Sequence, residues 1–281
     1  MKKLPHSDAS ELYADDVFTG ISLEVQRLRL QVERIAPHFR IALLIGEPGV
    51  GKRAIAHKMH RASPVASDPF TVIDSNDFAR QSQPPSTRGT VYLPGLDNLQ
   101  PASQGKMIRT IKSLNRETRI VVASHHDLRG LVSAGRLRYD LHESVGTLEI
   151  RVPSLRSRSE DLSLIILSML RRLSRPDFPA DISPDALFAL TQHPWPGNLE
   201  ELRSTCESLL ETGKLITRTD LPLLEEEPIQ APPARLEEAI HRHVLDVLQS
   251  YSGNKLRAAE ALGISRSTLY RMLDAQPVDH Q

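Results

Sequence analysis

The sequence predicts an α/β fold built on a parallel sheet, followed by an all-α subdomain and a C-terminal helix-turn-helix. Three observations carry this expectation. Short apolar runs alternate with helix-period segments up to about Pro153, the pattern of a parallel sheet covered on both faces. Strand signals then stop and helical segments follow. Near the C-terminus a short helix, a glycine turn and a capped helix stand in succession.

Length and composition agree. The 281 residues suit about two domains, and 40% hydrophobic with 25% charged residues is ordinary for a globular chain. Lys and Arg total 35 against 35 Asp and Glu, which excludes a uniformly basic coat for polyanions but not one small basic face. Aromatics, at 4%, are too sparse for base stacking to be a default. The single Cys206 excludes an intramolecular disulfide and a Cys-rich zinc site, and a reduced, cytoplasmic setting is expected. Met1-Lys2-Lys3 has no apolar stretch behind it, so no signal peptide is expected. No run approaches the eighteen or so apolar residues of a membrane span, so no membrane partner is expected.

Taken in order, residues 1–16 read as a polar tail. Residues 17–153 read as the α/β domain. Ile21, Val25, Leu28, Val32 and Ile35 draw one helix face. Arg40–Ile45 reads as a buried strand, Gly46–Gly51 as a loop and Lys52–Arg61 as a helix. Further strands are expected at Phe70–Ile73, Thr90–Leu93 and Arg119–Ser124, with a helix over Ala102–Leu114. Residues 154–223 form the helical subdomain, with helices at Glu160–Arg175, Pro184–His193 and Asn198–Thr212. The acidic, Pro-rich stretch 224–234 reads as a linker, and 235–281 as the helix-turn-helix domain.

The first motif is Gly46, Glu47, Pro48, Gly49, Val50, Gly51 and Lys52, followed by Arg53. It matches the G-x-x-x-x-G-K core of a Walker A loop. Backbone N–H groups at a helix N-terminus cradle phosphate oxygens, glycines permit the curl, and the lysine adds a point charge. Many such loops place Ser or Thr after the lysine to ligate magnesium. Arg53 cannot do so, although a cation there suits phosphate.

The second motif lies in the tail. Leu236, Ile240, Val244, Val247 and Leu248 form an amphipathic face. Lys255–Leu262 is a short helix, Gly263 turns, and Ser265 caps a helix from Arg266 to Leu273. From Gly253 to Leu273 Lys255, Arg257, Arg266 and Arg271 outnumber Glu260. The expected contacts with double-stranded DNA are Asn254, Lys255, Arg257, Ser265, Arg266, Ser267, Thr268, Tyr270 and Arg271. The last helix enters the major groove, and Tyr270 either packs or touches backbone.

Other residues have plainer readings. The pairs His57 and His60, His125 and His126, and His241 and His243 lack a coherent ligand set and read as surface or packing residues. Arg171, Arg172 and Arg175 complement the C-terminal dipole of their helix without a partner. Trp195 reads as a packing anchor, and Glu225-Glu226-Glu227 as solvated linker.

With these motifs placed, the chain resembles the bacterial enhancer-binding proteins, the AAA+ family of sigma-54-dependent transcription activators with a Fis-type tail. The resemblance runs from about Val17 to Gln276. Beyond the two motifs it is carried by Pro69-Phe-Thr-Val72, Gly89-Thr-Val-Tyr-Leu93, Arg119-Ile-Val-Val-Ala-Ser124 and Ile150-Arg-Val-Pro-Ser-Leu-Arg156. Arg158-Ser-Glu-Asp-Leu162 and His193-Pro-Trp-Pro-Gly-Asn-Leu199 add to it. It implies an AAA+ nucleotide-binding domain, a helical lid and a DNA-binding module.

Departures from the family pattern are as informative. The family's strand matching Val91–Leu93 ends in Asp-Glu, one for magnesium and one for the attacking water. Here Pro94 and Gly95 follow, and Asp97 takes such a place only if the strand slips register. Glu200 stands where the family's lid helix offers an arginine to the nucleotide. Of the family's two finger arginines Arg138 remains, and the second aligns with Ser144. Ser124-His125 replaces a Thr-Asn pair. The interval Thr71 to Arg88 spans only 18 residues and holds no Gly-Ala-Phe-Thr-Gly-Ala string for gripping sigma-54.

The expectation is therefore a degenerate member, a sequence-specific DNA-binding transcriptional regulator with no catalytic residues. ATP or ADP is the expected ligand, with magnesium weakly required or not at all and no metal site. Hydrolysis is expected to be absent or strongly impaired. Expected partners are DNA, a second copy (dimer through the tail or AAA+ oligomer) and RNA polymerase, in a cytoplasmic, nucleoid-associated setting. Two alternatives stand beside it: an active ATPase that remodels sigma-54 polymerase, and a Fis-like DNA-architectural protein.

Overall fold

The computed structural model describes residues 16–81, 88–174, 181–210 and 215–221, together with Lys255, Thr268 and Leu269. The chain divides into two compact units, Met1–Pro222 and Leu223–Gln281.

In the first unit, helix α1 (Leu23–Ile35) is capped by Ser22, whose side chain accepts from the Val25 N–H. Strand β1 (Ile41–Ile45) leads through the glycine loop into α2 (Lys52–Arg61). There follow β2 (Phe70–Val72), α3 (Ser75–Arg80), β3 (Gly89–Leu93), α4 (Pro101–Ser113), β4 (Thr118–Ser124), α5 (Leu128–Ser133), α6 (Tyr139–Val145) and β5 (Glu149–Arg151). The five strands form one sheet in the order β2-β3-β4-β1-β5, and every pairing is parallel.

The three central strands β1, β3 and β4 are buried on both faces, as their near-continuous apolar runs require, while the edge strands β2 and β5 are only partly buried. Leu43 and Ile45 of β1, Val91 and Leu93 of β3, and Ile120 and Val122 of β4 join Met107, Ile111, Leu131 and Leu141 in one core. The alternate residues point to the opposite face. There Tyr92 stacks on Phe70, and His60 of α2 places Nδ1 2.9 Å from the Thr90 hydroxyl.

The lid comprises α7 (Leu162–Leu173), α8 (Pro184–Gln192) and α9 (Asn198–Leu210), packed through Ile165, Ile166, Met169, Leu190, Leu202 and Cys206. A parallel bridge joins Ile182 to Ile216. Among the described residues no helix is long and apolar enough to cross a membrane.

Several elements differ from the sequence reading. Ile21 is 67% exposed and lies ahead of the Ser22 cap, so the apolar face of α1 starts at Val25. The first lid helix begins at Leu162, after a 3-10 run over Leu155–Asp161 broken at Arg158. Strand β5 and helices α3, α5 and α6 escape prediction because each spans three to seven residues, too few for a period to declare itself.

His60 is buried, which pushes its pKa below the ordinary 6.5; His57 and Arg61 act in the same direction and Asp68 opposes them. A neutral native imidazole leaves the unfolded chain binding more protons just below pH 6.5. Its contribution to stability is complete above that value and is lost as pH falls. Urea unfolding from about pH 7 to about pH 5 should show a shallower loss of stability in His60→Gln than in the parent. Parallel slopes would refute the assignment.

Candidate functional site

Parallel strands place their C-terminal ends at one edge, where ligands of open α/β sheets bind. The chain following β1, β3 and β4 meets there. The Gly46 N–H donates to the Ser124 carbonyl at 3.2 Å, tying the glycine loop to the end of β4.

Gly49 and Gly51 have φ of 74° and 91°, a region open to glycine at little cost. Space matters as much. A Cβ on Gly49 would stand 2.0 Å from the Gly197 carbonyl, and one on Gly51 2.2 Å from Val17. Lys52 opens α2 at 8% exposure and folds its ammonium onto the loop, donating to Gly46 O at 2.6 Å and Glu47 O at 2.7 Å. Burial pulls its pKa down to about 8, against the attraction of Asp97 and Glu47.

The lid holds this loop through Asn198. Its backbone is left-handed (φ 56°), which Asn tolerates better than most residues. Its Nδ2 donates to Pro48 O at 2.9 Å and Glu47 Oε2 at 3.1 Å, while its Oδ1 accepts from the Leu155 N–H at 2.8 Å. The Glu200 N–H reaches Gly49 O at 3.3 Å, and Arg156 pairs with the Glu47 carboxylate. Trp195, the packing residue expected, is buried with Nε1 donating to Leu190 O at 2.9 Å.

Residues ahead of α1 make the third wall, and here the sequence reading needs correction. Asp16, read as the end of a polar tail, is buried and paired with Arg172. Arg172 therefore has a partner besides the helix dipole. Buried Arg158 donates to Val17 O at 2.8 Å. Asp161 accepts from the Ile21 N–H (2.6 Å), the Ser22 N–H (2.9 Å) and the Ser22 hydroxyl (2.5 Å). The Lys58 ammonium lies 4.3 Å from the Phe18 ring centroid.

These walls enclose a cavity of about 520 Å³, within the range of small-molecule sites. Val17, Ala54, Met169 and Leu199 supply apolar surface. Lys52, Arg53, His125 and Arg203 supply basic side chains, and Asp16 and Glu200 carboxyl-bearing ones.

Asp97 reaches this edge without a strand slip. β3 stays in register with β4 through Leu93 opposite Val122, and the chain then turns at Pro94 and Gly95 into a 3-10 turn over Leu96–Asn98. The Asp97 carboxylate, 2% exposed, accepts from the His125 N–H at 3.3 Å and lies 3.0 Å from His126 Nδ1 and 3.3 Å from His125 Nδ1. Burial raises its pKa, but the bonds from His126 and the His125 backbone outweigh this and hold it below its ordinary value. The two histidines are carboxylate partners. Among the described residues no group of three His, Cys, Asp or Glu is placed to hold a metal ion.

Arg138 is exposed, forks onto Asp140 at 2.9 and 2.7 Å, and is absent from the walls of its own chain's cavity. In the tail, Lys255, Thr268 and Leu269 are helical, with Leu269 buried and Lys255 exposed. Asn254, Arg257, Ser265, Arg266, Ser267, Tyr270 and Arg271 lie outside the described residues.

Three family models cover the chain in succession: the sigma-54 interaction domain over residues 19–155, the AAA+ ATPase lid domain over 156–236, and the bacterial regulatory protein, Fis family, over 236–275. The chain belongs to the sigma-54-dependent AAA+ transcriptional regulators. Among its relatives is the transcriptional regulatory protein ZraR of Escherichia coli K12, 28% identical over 297 residues, covering 90% of this chain and 67% of ZraR. The nitrogen assimilation regulatory protein NtrX of Azorhizobium caulinodans is 25% identical, covering 95% and 70%. The solved structure of NtrX from Brucella abortus in complex with ADP matches with a TM-score of 0.66 at 26% identity, covering 95% of this chain and 70% of that one. The same protein in complex with ATP matches at 0.63 and 26% identity, covering 90% and 68%.

For a regulator of this family, sequence reasoning picked out the loop and missed Asp16, Val17, Met169 and Arg203. Arg158 and Asp161, which hold Val17, Ile21 and Ser22, lie in the charged 3-10 run Leu155–Asp161 ahead of the apolar α7, where nothing local announces their burial. Asn198 is the residue to test first. Asn198→Ala removes the side-chain bonds and places alanine at positive φ, and should cost about 3 kcal/mol of unfolding free energy. A loss below about 0.5 kcal/mol in urea titration would show that loop and lid are held otherwise.

Proposed function

We propose that this regulator binds ATP or ADP in the glycine-loop cavity as a structural or regulatory ligand, while its C-terminal module binds double-stranded DNA. On this reading the AAA+ domain regulates transcription without hydrolysis-driven remodelling of polymerase. The observation that carries it is the pairing of an intact phosphate cradle with a strand end, Pro94 and Gly95, that offers no carboxylate.

The cradle fits a nucleotide. Loop N–H groups sit at the α2 N-terminus, which favours anions. Lys52 exchanges two carbonyl oxygens for a phosphate, and Val17, Ala54, Met169 and Leu199 offer apolar surface to a base. The complexes of Brucella abortus NtrX with ADP and ATP support the same ligand class. The donors do not fit magnesium. Arg53 follows Lys52, and the Asp97 carboxylate is taken up by two histidines. Phosphoryl transfer depends on charge neutralisation and a positioned water, so hydrolysis is absent or strongly impaired. The short interval from Thr71 to Arg88 supports the lack of a sigma-54-gripping loop.

One observation favours a second reading, a working ATPase: Asp97 lies close enough to Lys52 to raise its pKa. Arg138, exposed and outside its own cavity, suits a contact with the nucleotide of a second copy. Self-association as an AAA+ oligomer, or as a dimer through the tail, follows, and RNA polymerase is the further partner. The protein acts in the cytoplasm on nucleoid DNA. A Fis-like architectural role is the third outcome, in which the cavity takes no nucleotide.

Titration with ATP and ADP should give saturable binding that Lys52→Ala abolishes, while steady-state phosphate release stays at background. Turnover that vanishes in Lys52→Ala would establish the working ATPase instead. Binding should weaken as pH rises through about 8, because the ammonium is lost in the free protein and the phosphate must restore it. A flat profile from about pH 7 to about 9.5 would refute the role of Lys52. For the tail, Arg266→Ala and Arg271→Ala should each weaken DNA binding, and removing a cation that pairs with a phosphate should lower the salt slope by about one. Unchanged affinity and slope would remove the recognition-helix assignment.

A further inference from the structure

Helix α4 carries a charge pattern that neither the sheet nor the cavity uses. Between Asp97 and Glu117 the sequence has no acidic residue, yet it holds Lys106, Arg109, Lys112 and Arg116. Ser103, Gln104, Met107, Ile108 and Ile111 turn one face of α4 into the core. Lys106, Arg109 and Lys112, spaced three residues apart, fall together on the opposite, exposed face. Arg116 follows, exposed, in the turn that leads to β4. Arg40 is exposed at the foot of β1 and donates to Leu114 O at 3.5 Å, which sets a further cation beside the α4 C-terminus. Among the described residues Lys106, Arg109, Lys112 and Arg116 form no ion pair. The helices packed against α4 carry Asp77, Asp140 and Glu143. Asp77 pairs with Arg80, Asp140 pairs with Arg138, and Glu117 lies 4.0 Å from Arg88. Helix α9 shows the ordinary arrangement, with Arg203 paired to Glu207 four residues on. The helix dipole accounts for Lys112 in the last turn of α4 but not for Lys106 or Arg109.

We propose that this face of α4 is a second DNA-binding surface, one that tracks the phosphate backbone of a duplex without reading its bases. The helix from Lys106 to Lys112 advances about 9 Å, a length over which duplex DNA presents about five phosphate charges. Three cations on one exposed face match such a row and release its condensed counterions. Phosphate contacts of this kind fix position and carry no sequence information. The occupant follows from the chain itself, whose residues 236–275 match the Fis family of bacterial regulatory proteins. A duplex held by that module meets the α4 face at an effective concentration set by the connecting chain. Contacts too weak to hold DNA alone then add to the affinity. The surface is separate from the nucleotide cavity, since none of Lys106, Arg109, Lys112 and Arg116 lines it. The inference therefore rests on the reading of the tail as a DNA binder and not on that of the cavity.

The experiment is titration of the full chain with a fluorescent duplex of arbitrary sequence, from about 50 to 200 mM salt. Lys106→Gln, Arg109→Gln and Lys112→Gln combined should weaken binding roughly ten-fold or more. The salt slope should fall by about two to three, to a similar degree on any sequence. Exchanging the cations, as Lys106→Arg, Arg109→Lys and Lys112→Arg, should keep affinity within about two-fold, because counterion release counts charge rather than geometry. Glutamine is a comparable helix former, so thermal unfolding should be unchanged in the glutamine variant. A lowered midpoint, with an equal loss of DNA binding in the charge-keeping variant, would assign the three residues a structural role instead. Should Arg266→Ala with Arg271→Ala abolish binding while the glutamine variant keeps affinity and slope, the proposal falls and the recognition helix stands. Should the glutamine variant weaken binding and the tail variant leave it unchanged, the α4 surface stands and the recognition helix falls. Loss of polyglutamate binding in the glutamine variant, with duplex binding intact, would make an acidic polypeptide the partner and overturn the proposal. A parent chain that binds no duplex at about 50 mM salt overturns both readings.

Discussion

The buried side chain of Asn198 joins three segments that would otherwise be separate: the glycine loop through Pro48 and Glu47, the turn at Leu155, and the first turn of α9. Each bond replaces one that water would make in the unfolded chain, so its net worth is modest. Leaving such buried groups without partners is what costs. The close approach it enforces explains Gly49, which no larger residue can replace beside the Gly197 carbonyl. It explains why α9 presents Leu199, Glu200 and Arg203 to the loop, and why a cavity exists between an α/β layer and a helical lid at all. A left-handed backbone at a polar residue is a place where strain is held by its surroundings. Here the surroundings are the ligand cradle itself.

Electrostatics then give the cavity its character. Removing Lys52 from water depresses its pKa, and the loop carbonyls hold the ammonium where a phosphate would take over. The Asp97 carboxylate is engaged locally by His125 and His126. Asp16, which lines the cavity, is paired with Arg172. Charges are thus mostly committed within the protein, and the basic groups facing the cavity come from α2, the end of β4 and α9. This pattern suits holding a polyanion more than breaking a bond within it, because chemistry at phosphorus asks for a metal and an aligned water as well.

The neutral net charge conceals this distribution. Equal numbers of acidic and basic residues say nothing about whether a given face is matched. Lys52 and Arg53 stand in a cradle whose acidic neighbours are engaged elsewhere: Glu47 with Arg156 and Asn198, Asp97 with its histidines.

Much of this molecule was legible from residues alone, for identifiable reasons. The glycine loop, helix α2 and strands β1, β3 and β4 declare themselves through local spacing and apolar runs, since their defining contacts span only a few positions. Trp195 was legible as an anchor because a lone Trp between prolines has few other uses. The route of Asp97 into the site was not legible: strand register pointed elsewhere, and only the turn after Gly95 brings its carboxylate to the end of β4. Nor was the wall made by Asp16 and Val17, which depends on Asp161 meeting Ile21 and Ser22 about 140 residues away in sequence. The sequence by itself determined the local chemistry, namely a phosphate loop, apolar strands and a lid corner built on Trp, Gly and Asn. Only the tertiary structure decided which distant charges face that loop, because burial and pairing are set by the segments that pack together.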